Sequence, residues 1–288
     1  MRRTAVADAH AHIGRHPSAT GISIRRTQRA ADACDYPVMF NHATATEVVI
    51  HEPHAGRYAL HVHRNAEVWT WASAIAIAAE LRRELMRRPR ARMLVAGGDT
   101  PASVYRALSK APLQWDRVDV ALVDERWLQP DDPDSNAWLV RTHLLQHHAA
   151  QARFEPMTQP GRRIEEAVAI ASAHGLQPAS VAVLGMGSDG HLASLFPRMR
   201  DLDRALDSRQ PYVAVDASGC VGAQQWSRRI SLTPTGLRHS RSRVLLIRGR
   251  EKLDAFEYAL ASGDVESWPV LLALGDSFEV PLQIHWCA

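Results

Sequence analysis

The stretch "ARMLVAGGDTPASVYRALSK", residues 91–110, decides the fold. "ARMLVA" reads as a buried strand, and two glycines follow it at a turn. Thr100 is then placed to cap a helix that has Pro101 at its first position and runs on through "SVYRALSK". A strand, a glycine turn and a helix in twenty residues form the repeating unit of a parallel sheet.

The same unit recurs along the chain. "TEVVIHE" (46–52), "VDVALVD" (118–124), "SVAVLGM" (180–186), "RVLLIRG" (243–249) and the terminal "PLQIHWCA" (281–288) read as strands. "NAEVWTWASAIAIAAELRRELMRR" (65–88) and "EKLDAFEYAL" (251–260) read as helices. The first of these carries an apolar stripe at Val68, Trp71, Ala72, Ile75, Ala78 and Leu85 and ends in arginines that suit a helix C-terminus. The expected fold class is α/β: three layers, with a mostly parallel, Rossmann-like open sheet and helices on both faces. Ligands of such folds bind outside the carboxyl ends of the strands, so the loops there are where chemistry is sought.

Bulk properties narrow the class. With 288 residues, 46% of them hydrophobic, the chain can bury a large core. Its net charge is +3, and its 34 basic residues, all arginine except Lys110 and Lys252, are scattered among 31 acidic ones, which is not a nucleic-acid-binding profile. Three distant cysteines, Cys34, Cys220 and Cys287, suggest neither a disulfide framework nor a zinc site. There is no apolar run of membrane-spanning length, and a cytoplasmic protein, monomeric or a small homo-oligomer, is the expectation. Residues 1–44 are expected to form a poorly ordered extension and 45–288 a single domain. Within the extension, "DAHAH" (8–12) places His10 and His12 at the spacing of an amidohydrolase metal pair, but also at a spacing a biased tail produces by chance.

Three loops carry the candidate chemistry. In "AGGDTP", backbone N–H groups of Gly97, Gly98, Asp99 and Thr100 at a helix start can cradle a phosphate, although a glycine pair before a helix is also a common turn. The Walker spacing and the GxGxxG of dinucleotide sites are both missing. In "VDERW", Asp124, Glu125 and Arg126 stand at a strand end, either facing a crevice or forming a surface cluster. In "LGMGSDGHLASLFP" (184–197), Asp189 sits two residues before His191, close enough to orient an imidazole that moves protons, and Gly187 lets a ligand approach the chain. Taken alone, His191 reads more readily as a turn histidine than as a catalytic one, and its position after an apolar strand beside the other loops is what favours the second reading. Arg229 and Lys252 are each either solvated cations or anion contacts; Lys252 stands where a helix dipole disfavours a cation, which speaks for an anionic partner.

Together, "LVAGGDTP", "DERWLQPDDPDSN", "LGMGSDGHLASLFP", "RISLT" (229–233), "RG" (248–249) and Lys252 resemble the 6-phosphogluconolactonase family, within the sugar-phosphate isomerase/deaminase-like superfamily. The resemblance runs from about residue 45 to the C-terminus. It implies hydrolysis of a phosphorylated sugar lactone in the pentose phosphate pathway, with no cofactor and no metal. By the same resemblance, His191 is the catalytic histidine, Gly97 to Thr100 and Arg126 border the substrate, and Arg229 and Lys252 hold the sugar phosphate. The related glucosamine-6-phosphate deaminases read DGHIAFNEP at the third motif, with a glutamate where this chain has Phe196. Arg126 follows the Asp-Glu pair as it does in lactonases. Asp99 departs from the family pattern, and its carboxylate would repel a phosphate, so any contact there is expected through its N–H. A non-catalytic sugar-phosphate sensor would need the basic and glycine loops but hardly the Asp-x-His pair.

Overall fold

A computed structural model describes residues 47–49, 57–275 and 280–288. The extension, with His10 and His12, lies outside the described residues. In chain order the elements are β1 (Glu47–Val49), β2 (Tyr58–His63), α1 (Ala66–Leu85), β3 (Ala91–Val95), α2 (Ala102–Leu108), β4 (Val118–Leu122), β5 (Asp124–Arg126), α3 (Asn136–His143) and β6 (Arg153–Glu155). They continue with α4 (Ile164–Gly175), β7 (Ala179–Gly185), α5 (Leu202–Leu206), β8 (Tyr212–Asp216), β9 (Arg228–Leu232), α6 (Pro234–Arg238), β10 (Ser240–Arg248), α7 (Arg250–Ser262) and β11 (Leu282–Cys287).

Eight strands form one sheet in the order β1-β2-β11-β10-β7-β3-β4-β6, parallel throughout except for β1 at one edge. Every residue of β3 and β4 is buried, so both sheet faces are covered, as their near-continuous apolar sequences require. The α/β reading is borne out. From β3 the chain moves to β4 on one side, whereas from β7 it proceeds to β10 on the other. The loops leaving β3 and β7 therefore diverge at a switch point, where an open α/β sheet leaves a crevice.

Two details differ from expectation. Helix α1 starts where Asn65 accepts from the Val68 N–H at 2.9 Å, but it buries Trp69, Ile77 and Leu81, leaving Trp71 and Ile75 exposed. It is apolar on more than one face, so its periodicity does not single out the buried one. Beyond β4 the chain turns out of the main sheet at Val123, whose N–H still reaches Val95 O at 3.0 Å while its carbonyl accepts from Leu232 N at 2.7 Å. The next three residues are β5, part of a second, antiparallel sheet ordered β5-β9-β8. Asp-Glu-Arg is thus a strand, not a strand-end loop. The short apolar, β-branched run "YVAV" and the "ISL" of "RRISL" were the signals for this sheet. No described helix is long and apolar enough to cross a membrane.

The parallel pair β2 and β11 brings three histidines together. His61 and His63 stack on His285 with ring centroids 4.7 and 5.2 Å apart, and His63 Nε2 lies 3.1 Å from His285 Nδ1. One ring must donate and the other accept, which requires a neutral imidazole. Burial, then the neighbouring His61, lowers His63 to about 4, and burial likewise holds His285 well below the usual histidine range. Because the folded values lie below the unfolded one, this stability is present above about pH 6.5 and lost as pH falls towards 4, by up to about 1.4 kcal/mol per pH unit for each group. Urea midpoints measured between pH 7 and 4.5 are expected to fall accordingly. The slope should flatten in His285→Phe; an unchanged slope would show that these rings do not set it.

Candidate active site

A cleft of about 300 Å³ opens at the switch point. Gly97, Gly98, Asp99 and Thr100 enter it from the loop after β3, Asp124 and Arg126 from β5, and Gly187 and His191 from the loop after β7. Arg229 of β9 and Lys252 of α7 complete the set of expected residues that line it. Another cleft, of about 230 Å³ beside α4 and β6, shares no lining residue with it, and its buried Arg92 is neutralised by Glu155 at 2.9 Å.

The glycine loop is shaped by Gly98, at φ +85°, a conformation other residues rarely adopt. Tyr105 of α2, fully buried, ties the loop down by donating to Ala96 O at 2.7 Å. Thr100 does not cap α2. The cap position falls at Pro101 (φ −78°, ψ −11°), and no side chain bonds to the helix start. Among the described residues, the N–H groups of Gly97, Gly98, Asp99 and Thr100 meet no protein acceptor, as an anion cradle requires. The Asp99 side chain is exposed at the rim.

His191 Nδ1 lies 2.7 Å from Asp189 Oδ1, which also accepts the His191 backbone N–H at 3.2 Å. Burial works to raise the Asp189 carboxyl, but the hydrogen bond and charge of His191 outweigh it and hold the group below its usual value. Asp189 is therefore ionised at neutral pH. An ionised carboxylate can only accept, so the bond assigns the proton to Nδ1 and leaves a lone pair on Nε2. The pair occupies a slot between two glycines. A Cβ on Gly187 would collide with His191 Nδ1 and Asp189 Oδ1, and one on Gly222 would fall 2.5 Å from Asp189 Oδ2. Gly222 belongs to the β8–β9 connection, and sequence reasoning missed it; nothing in "SGCVGAQQ" marks which glycine meets a loop thirty residues earlier. Phe196, fully buried, packs its ring against His191 at 4.5 Å and under the Arg229 guanidinium at 5.2 Å.

The acidic and basic residues divide by role. Glu125 does not reach the cleft. It is fully buried, and its carboxylate accepts from the N–H groups of Asn136 (2.7 Å), Ala137 and Arg126 (both 2.8 Å), anchoring the start of α3. Burial pushes this carboxyl up to about 7 against those bonds. In a strand, successive side chains alternate, so when Asp124 and Arg126 face the cleft Glu125 faces the core. Asp124 is a bracket: it accepts from Ser194 Oγ at 2.6 Å and from Asn136 Nδ2 at 3.2 Å, and stands 3.9 Å from Arg229. Arg229 is buried and donates to Trp226 O and Ala223 O, both at 2.7 Å, so part of its donor set holds the protein together.

Arg126 and Lys252 are more open to a ligand. Arg126 donates to Asp134 O at 2.6 Å, while its buried Nε has no partner among the described residues. Lys252 Nζ donates to Met186 O at 2.7 Å, and burial lowers its ammonium's proton affinity against the opposing pull of Glu251 and Asp189. An anion in the cleft would relieve both costs. Two non-glycine residues lining the cleft, Ala193 and Gln224, have φ +52°, a strained backbone that the surrounding structure must hold in place.

Comparison with known proteins places the chain in a family. The family described as glucosamine-6-phosphate isomerases/6-phosphogluconolactonase matches residues 64–282. The chain is 48% identical over 223 residues to the 6-phosphogluconolactonase of Xylella fastidiosa strain Temecula1, covering 76% of this chain and 92% of that protein. It is 39% identical over 221 residues to the 6-phosphogluconolactonase of Pseudomonas aeruginosa, covering 74% and 88%. The crystal structure of a 6-phosphogluconolactonase from Shewanella baltica superposes with a TM-score of 0.74 at 31% identity, covering 80% of this chain and 97% of that one. The chain therefore belongs to the glucosamine-6-phosphate isomerase/6-phosphogluconolactonase family.

Proposed function

We propose that this protein hydrolyses 6-phospho-D-glucono-1,5-lactone to 6-phospho-D-gluconate, the lactonase step of the pentose phosphate pathway. The observation that carries the reading is the Asp189–His191 pair, 2.7 Å apart at a cleft whose other walls offer free N–H groups and cations. The phosphate is held by the glycine-loop N–H groups together with Arg126, Lys252 and Arg229. His191 Nε2 takes a proton from water as the oxygen attacks C1, and the charge that develops on the imidazole faces Asp189. When the tetrahedral intermediate collapses, the C1–O5 bond breaks and His191 returns the proton to O5. One histidine serves both steps because the proton it receives is the one the leaving oxygen needs.

Removal of an amine would call for a carboxylate where Phe196 stands, and Phe196 is an apolar wall against His191. The test pairs two substrates. Acid release from 6-phosphogluconolactone is expected to exceed the rate without enzyme by several orders of magnitude, with no ammonia from glucosamine 6-phosphate. Acid release at the background rate, or ammonia release, would overturn the reading.

A further inference from the structure

The turn after β5 meets the β8–β9 connection (217–227) beside the cleft. We infer that Asp134 is a positioning residue that latches this connection and Arg126 to each other. The inference rests on reading the cleft as a lactone site. The Asp134 carboxylate accepts from Trp226 Nε1 at 3.1 Å and from Gln225 Nε2 at 3.4 Å. Its backbone carbonyl takes the Arg126 guanidinium at 2.6 Å, and its own N–H is fixed to Asp132 Oδ1 at 2.8 Å. One exposed turn residue thus grips the outer side of the connection with its side chain and a cleft cation with its backbone.

The connection needs an outside tie. Gln224 is held at φ +52° in the cleft wall, a strained backbone conformation, and Gly222 closes the slot around Asp189 and His191. Arg229 secures the inner side through Trp226 O and Ala223 O. Asp134 supplies the outer one, so Arg126 and Gln224 keep their spacing across the cleft. The His191–Asp189 bond is made within its own loop and does not pass through the latch. Loosening the latch should therefore weaken substrate binding and leave the chemical step in place.

The experiment compares Asp134→Ala, Trp226→Phe, the double variant and Asp134→Asn. KM is expected to rise about five-fold in each of the first two, the effect of losing one exposed hydrogen bond, with kcat changed less than about two-fold. The double variant should be no worse than Asp134→Ala alone, because that substitution already removes the bond to the indole. Asp134→Asn should recover most of the loss, since its amide oxygen still accepts the indole N–H. Hydrogen exchange of the backbone amides of residues 217–227 should quicken in the same order. An unchanged KM, additive losses, a fall in kcat at constant KM, or unaltered exchange would overturn the latch. If the wild-type protein shows no lactone turnover, the functional reading fails, and the exchange measurements still decide the latch.

Discussion

His191→Ala is expected to lose about a hundred- to ten-thousand-fold in kcat for lactone hydrolysis, with KM nearly unchanged. The range is that of general acid–base catalysis, because in the proposed mechanism the imidazole removed carries the proton in both halves of the reaction. KM should hold because the groups proposed to hold the phosphate lie on other elements: Arg126 on β5, Lys252 on α7 and the amides after β3. Loss of stability is a poor rival explanation. The His191 side chain is 24% exposed, and its main apolar contact, Phe196, is also covered by Arg229. Because the lactone opens spontaneously, the comparison must subtract the rate without enzyme. A variant that retained the full acceleration would remove His191 from the mechanism.

What the sequence made legible was set by short range. Strands β3, β4, β7 and β10 each carry a short apolar run, "MLV", "VAL", "VAVL" and "VLLI", that announces a buried strand without its neighbours. The Asp189–His191 pair was equally legible, since two residues of separation already bring the side chains within bonding reach. Long-range relations were not. Glu125 reads as a crevice carboxylate until β5 is known to pair with β9, which fixes the side-chain alternation and turns it to the core. Gly222 and Asp134 act through groups far away in the chain, and no local pattern predicts either. The buried face of α1 was missed for a different reason: apolar residues surround the helix, and only packing selects Trp69 and Ile77 over Trp71 and Ile75.

Asp189→Asn separates what this residue contributes by charge from what it contributes by shape. Both His191 N–H bonds converge on a single oxygen, Oδ1, so an asparagine with its carbonyl in that place keeps the imidazole oriented and the proton on Nδ1. What disappears is the negative charge that the imidazolium meets as water is deprotonated. At about 4 Å and an effective dielectric near 20, that attraction is about 4 kcal/mol. The Asp189 side chain is one-third exposed, at 34%, so solvent screens part of it, and a loss of about a hundred-fold in kcat is expected. Asp189→Ala removes orientation as well and should lose about ten-fold more. A full rate in Asp189→Asn would mean that the charge of Asp189 takes no part in catalysis, and that the two glycines around the pair keep only its geometry.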